Sequence, residues 1–430
     1  MSAGGIFLPL LLAASAAGEP APPPDVDPFA NLYLPPVTPV EPETFPGRGA
    51  LVTPGTAEFV TSRPGATRGR LGALFEHRTD YSFHPDGSGG VWGGYEELHL
   101  TGELRLSSVA VLELDWQLRN LRGTDREPVF ADQGEPPPVL VGYRDLVQDV
   151  WRGGLFLDLD RTAVRLGRQQ IEWGQGWLFS PTNIFSRRNI YDPGDEPEGT
   201  DAARVETFLS GCWEFEAVVG LEEDEELIAG ASVRYGREDG SLACGFSLGR
   251  DEYRRRTVAG GEFAYKSTLA GFACYLDAAL FLDTGDPAGP ARYGACDLGA
   301  EKILPGGWHL LLEYYHDGHG KAEPASYSDL DYFALVTGER QVIGRNYLVV
   351  MLEKRTLTSA FRVYTVSNLN DGGTVIAPEY RWEPLPAVSL VVGAVIVEGP
   401  PGSEFRPPAW KNPGDILGRD LLYLRLRAGF

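Results

Sequence analysis

Cysteine is scarce, with four residues in a chain of 430. Cys212, Cys244, Cys274 and Cys296 form no C-x-x-C pair. The chain therefore has neither a zinc ribbon nor a c-type haem attachment site, and no metal or cofactor is expected. Basic charge is also in deficit. Lys and Arg total 38 against 60 Asp and Glu, a net charge of −22. Such a surface repels phosphate polymers, which excludes nucleic acid as a partner. Beyond the N-terminus no apolar run approaches the roughly 20 residues of a membrane-spanning helix. Only six histidines occur, and no Ser/His/Asp set stands out, so no catalytic residue is nominated and the chain is not read as an enzyme. Glycine and proline are abundant, at 53 and 33 residues. That is too turn-rich for a helical bundle. The 43% hydrophobic and 11% aromatic content is too apolar for a disordered chain.

Residues 6–17 (IFLPLLLAASAA) have the length of a signal-peptide apolar region and end on small residues suited to signal peptidase. Residues 1–5 lack the usual Lys or Arg. Prolines then crowd residues 18–49, which suits an extended segment with no packed core. The expected organisation is a signal peptide at 1–17, a proline-rich periplasmic segment at 18–70 and a β-barrel at 71–430.

From about residue 71 the apolar residues recur with period two. Leu112, Leu114, Trp116 and Leu118 alternate with Glu113, Asp115, Gln117 and Arg119, and Phe272, Cys274, Leu276 and Leu280 run against Tyr275 and Asp277. This is a strand pattern, not a helical one. Three features choose a membrane barrel over a soluble sandwich. The strands have about the 9–11 residues that cross a bilayer. Tight links such as Asp160-Arg161 and Pro305-Gly306 alternate with long ones around 121–148, 173–203, 318–344 and 399–417, as periplasmic turns alternate with outer loops. The chain also ends on an alternating strand, Leu422-Tyr423-Leu424-Arg425-Leu426-Arg427, closed by Phe430. That ending resembles the signal outer-membrane barrels present to their assembly machinery. The fold class is therefore an all-β, transmembrane, antiparallel up-and-down barrel of about 18 strands, with 16 as the alternative. Outer-membrane lipid and the assembly machinery are its expected partners, and a homotrimer or a docked protein is left open.

In a barrel of this size the polar phase lines a water-filled lumen. Glu113, Asp115, Arg119, Arg152, Asp158, Asp277, Arg425 and Arg427 are expected there. Acids slightly outnumber bases on this phase, which favours a mixed-charge wall over a dedicated anion pore. Cys244, Cys274 and Cys296 fall on the apolar phase, as small lipid-facing residues.

One segment breaks the pattern. Val164 and Leu166 set a lipid-facing phase that would carry Arg168, Gln170 and Glu172 into hydrocarbon, at about 2–4 kcal/mol for a mid-membrane Arg. A bulge at Gly167 would send all three inward. Arg168 and Glu172, about 13 Å apart along a strand, could not pair directly and would need partners elsewhere. The run GRQQIEWGQGW at 167–177, followed by SPTNIF at 180–185, resembles a broad family of bacterial outer-membrane porin-like barrels akin to the alginate-export type. The resemblance covers 149–221; the rest of the chain shares only the barrel pattern. It implies a long loop following a tight hairpin. Glu172 replaces the basic residue often seen between GRQ and WG in that family, so no anionic substrate is inferred. The expected constriction comprises Arg168, Gln170, Glu172, Trp173 and Trp177, with loop 173–203 folded inward. The expected function is passive diffusion of small hydrophilic solutes. The rivals are a barrel that sheathes or docks a partner protein and an outer-membrane enzyme acting on lipid or polysaccharide.

Overall fold

The computed structural model describes residues 57–60, 68–83, 90–122, 127–130, 140–144, 146–186, 188–191, 199–221, 226–237, 239–267, 270–283, 292–336, 340–407 and 419–429. The expected signal peptide, most of the proline-rich segment and Phe430 lie outside the described residues.

The strands are β1 (Ala57–Val60), β2 (Arg68–Phe83), β3 (Gly90–Arg105), β4 (Ala110–Arg122), β5 (Glu127–Phe130), β6 (Leu140–Arg144), β7 (Leu146–Leu159), β8 (Thr162–Gln169), β9 (Thr200–Ser210) and β10 (Trp213–Leu221). They continue as β11 (Leu227–Gly236), β12 (Leu242–Asp251), β13 (Arg256–Ser267), β14 (Phe272–Asp283), β15 (Arg292–Leu304), β16 (Trp308–Asp317), β17 (Asn346–Arg355), β18 (Ser359–Asn368), β19 (Thr374–Leu385), β20 (Val388–Glu398) and β21 (Asp420–Gly429). A short helix, α1 (Asp329–Val336), lies between β16 and β17.

Strands β2–β4 and β7–β21 form a closed antiparallel barrel of 18 strands. Each pairs with the next, and β21 returns to β2 with Leu74 opposite Gly429 and Phe83 opposite Asp420. Strand β1 extends the wall beside the start of β2, and β5 and β6 form a separate hairpin. Links 106–109, 160–161, 211–212, 305–307, 356–358 and 386–387 all lie at one rim. The described parts of links 170–199, 318–345 and 399–419 lie at the other. The tight turns use backbone that few residues tolerate. Asp160 sits at φ 69°, and Gly306 and Gly307 at 82° and 75°, in the left-handed region open to Gly and to short polar side chains.

Apolar residues face outward. Leu114, Leu276 and Leu424 are 49%, 42% and 45% exposed, as are Leu112 and Val219, while Trp116, Leu155, Leu157, Phe215 and Phe272 are partly exposed. In water this belt would be untenable. In a bilayer it is the favourable face, and closure leaves no unpaired strand edge. The four cysteines are free.

Two expectations are corrected. The barrel strand starts at Arg68 rather than at 71. Strand β8 ends at Gln169, so Gln170, Ile171 and Glu172 have already left the wall. Gly167 does have φ +124°, but the register runs through it without a slip. Gly167 faces Gly154 across the strand pair, and a Cβ on Gly154 would lie 2.1 Å from the Leu166 carbonyl oxygen. The paired glycines absorb the distortion as a close backbone approach, so the side-chain phase does not invert at this point.

Candidate functional site

The segment after β8 turns into the barrel. Its apolar side chains are buried: Ile171 and Phe179 at 0% exposure, with Trp173, Trp177, Leu178, Ile184 and Phe185 close behind. They pack against the inner faces of β10 to β20 in two clusters. Phe179 stacks on Tyr315 with centroids 4.3 Å apart, and Trp173 meets Phe185 edge-on at 4.9 Å.

A backbone taken off a sheet and buried needs partners for its N–H groups. Glu313 on β16 supplies them. Its carboxylate accepts the N–H groups of Trp177 (2.7 Å), Leu178 (3.2 Å) and Phe179 (3.0 Å), and the Tyr275 hydroxyl at 2.5 Å. Asp277 on β14 accepts the hydroxyls of Ser180 at 2.6 Å and Thr182 at 3.0 Å. The Trp173 indole donates to Glu216 on β10 at 3.0 Å. Beyond these anchors, the Tyr364 hydroxyl donates to the Tyr191 carbonyl at 2.8 Å, and Gln341 donates to the carbonyls of Leu178 and Arg188. The loop is thus tied to about half of the wall.

The rest of the inner wall, on β2–β4, β7, β8 and β21 with parts of β18 and β19, carries charge in cross-strand networks. Glu76 pairs with Arg425 (3.2 Å) and Arg427, Glu97 with Arg119 and His99, and Glu379 with Arg362 (3.2 Å). The expected lumen residues Glu113, Asp115, Arg119, Arg152, Asp158, Arg425 and Arg427 sit on the inward phase of these strands. Asp115 lies opposite Arg152, and Glu76 opposite Arg427. Asp277 also points inward, but at 0% exposure it is covered by the loop instead of lining open water.

The expected constriction is only partly assembled. Trp173 and Trp177 are buried anchors. Gln170 accepts from Arg152 and donates to Glu172 at 2.8 Å, and Glu172 lies 3.5 Å from Arg188. Gln170, Glu172 and Arg188 form the polar edge of the loop, and Arg152 of β7 meets it. Arg168 does not join them. The register sets it opposite Gly153 and Asp201, on the phase of Leu166 and Leu155. There Asp149 (2.8 Å) and Asp201 (3.2 Å) hold it. Glu313 and Glu216 belong to the polar phase of their strands, Tyr315–Glu313–Leu311 and Val218–Glu216–Glu214. Their service to loop backbone and indole groups had no local signal, and Arg188 was missed altogether.

A second lock joins the outer loops. Glu404, at 0% exposure, accepts the N–H groups of Ile343 (2.8 Å) and Gly344 (3.3 Å), the Tyr347 hydroxyl and the Asn368 amide (2.7 Å). Asp371 accepts the Glu404 N–H at 2.7 Å. Burial pushes the Glu404 carboxyl from 4.5 up to about 7, helped by the negative charge of Asp371 and offset in part by these hydrogen bonds. Between those values the docked loop keeps a proton that the undocked loop has lost. Docking is therefore strongest below about pH 4.5, weakens by up to about 3 kcal/mol as pH rises to 7, and is level above. Hydrogen exchange at the Ile343 and Gly344 amides is expected to report this loss, and Glu404→Gln to flatten it.

No family model and no curated protein sequence matches the chain. Solved structures do. Acinetobacter baumannii OccAB1 is 10% identical, with 84% of this chain and 96% of that one covered at a TM-score of 0.55. The outer membrane protein OprD from Pseudomonas aeruginosa is 10% identical, covering 84% and 94% at 0.52. The fold is that of the OprD/Occ outer-membrane porins. Pseudomonas aeruginosa OpdK, solved with vanillate, is 11% identical, covering 84% and 98% at 0.52. Such identities carry the architecture: a closed barrel with an even strand number, an apolar outer belt and long loops at one rim, the form taken by barrels of the bacterial outer membrane.

Proposed function

We propose that the protein is an outer-membrane channel for passive diffusion of small hydrophilic solutes, narrowed by the inward loop that follows β8. The observation carrying this reading is the division of the lumen. Anchored by Glu313, Asp277 and Glu216, the loop fills the side of β10–β20. Its polar edge, Gln170–Glu172–Arg188, meets Arg152 of β7 beside a wall of paired charges. Mixed charge keeps such a lumen wet without a dominant ring of one sign. The GRQ…WG…PT segment, by which the chain resembles alginate-export-type porins, supplies this loop.

Single-channel recording in planar bilayers tests the proposal. The purified protein is expected to conduct as isolated. A barrel that sheathes a partner would conduct only when stripped, and a narrow enzyme barrel would barely conduct. Within the channel reading, Glu172→Gln should shift the reversal potential toward anion preference. Arg168→Gln should leave it where it is, because its side chain stays on the phase of Leu166. A shift from Arg168→Gln toward cation preference, opposite in sign to that from Glu172→Gln, would return Arg168 to the constriction.

A further inference from the structure

Three carboxylates lie on adjacent strands beneath the inward loop. Asp277 on β14 and Asp297 on β15 are cross-strand partners, and Glu313 on β16 lies opposite Gly299, two residues from Asp297. All three are 0% exposed. Glu313 is saturated by loop N–H groups and Tyr275, and one oxygen of Asp277 by Ser180 and Thr182. The other oxygen of Asp277 and both oxygens of Asp297 receive no side-chain donor among the described residues. Asp297 is aimed at the loop. A Cβ added to Gly176 would lie 2.5 Å from its Oδ2 and 1.6 Å from the carbonyl oxygen of Phe179. Both acceptors thus approach Gly176 on the side where it carries no side chain.

Buried carboxylates without countercharge are strongly disfavoured. One proton shared by Asp277 and Asp297 would satisfy one oxygen of each. It would leave the second oxygen of Asp297, near the Phe179 carbonyl, with no side-chain donor among the described residues. A donor set made only of carboxylate and carbonyl oxygen matches a hard cation. We propose that a divalent cation of the calcium class binds between Asp277, Asp297 and the Phe179 carbonyl beneath Gly176, and fastens the loop to the wall. This site is independent of which solute, if any, the channel carries.

The test is calorimetric titration of calcium chloride into chelator-treated, full-length folded protein in detergent at neutral pH, with the melting midpoint followed in parallel. One binding event and a raised midpoint are expected. Asp297→Asn should weaken binding about tenfold or more, while Asp239→Asn, in an exposed turn, should bind as the unaltered protein does. The folded state of each variant is read from its heat-modifiable mobility on gels. The proposal is overturned if the unaltered protein shows neither calcium heat nor a shifted midpoint, a result that needs no variant. A midpoint that responds to pH but not to calcium identifies a shared proton instead and overturns it too. So does a folded Asp297→Asn variant that binds calcium undiminished.

Discussion

Glu313→Ala is expected to release the inward loop and widen the channel. The substitution strands the N–H groups of Trp177, Leu178 and Phe179 and the Tyr275 hydroxyl in a site where the carboxylate is fully buried. Each stranded donor costs about 1–3 kcal/mol. The sum exceeds what the packing of Phe179 on Tyr315 recovers, since an aromatic pair adds about 0.5–1.5 kcal/mol beyond its buried area. The wall itself survives, because its hydrogen bonds run strand to strand. Single-channel conductance should rise about twofold or more, and protease added from the loop side should cut within 170–191. Glu313→Gln keeps one acceptor oxygen and should fall between. Unchanged conductance with a protected loop would show that the apolar clusters hold the loop unaided.

The second large effect is on the outer face. Leu276→Arg and Leu114→Arg each present a cation to hydrocarbon from strands β14 and β4, at a cost of about 2–4 kcal/mol near mid-membrane. Glu113→Gln, one residue from Leu114 but on the inner phase, should change stability by less than about 0.5 kcal/mol. Equilibrium unfolding of the protein in lipid vesicles measures all three. If both arginine variants matched Glu113→Gln, the belt would not be facing lipid. The pair Leu114 and Glu113 makes the test internal to one strand, because adjacent side chains point to opposite faces.

The outer face and the strand order were legible because each depends on neighbours within a few residues. Alternation along Leu112 to Arg119 fixes which side of β4 meets lipid, and Asp160 and Gly306 mark turns by backbone conformations that few other residues adopt. An even number of strands then sets the last antiparallel to the first, and the structure pairs them. The acids of the inner wall were legible as a set, since any inward position of a wide barrel can carry charge.

Their individual duties were decided by the tertiary structure. Glu313 stands 136 residues from Trp177, and Asp277 stands 97 from Ser180. No local pattern shows which of several inward acids a loop will reach. Arg168 makes the same point at short range. Gly167 announced a distortion, but whether it inverted the phase depended on Gly154, thirteen positions back and across the strand pair. Local chemistry sets what each stretch of chain becomes. Which buried donor meets which carboxylate is settled only when closure brings distant strands around the loop.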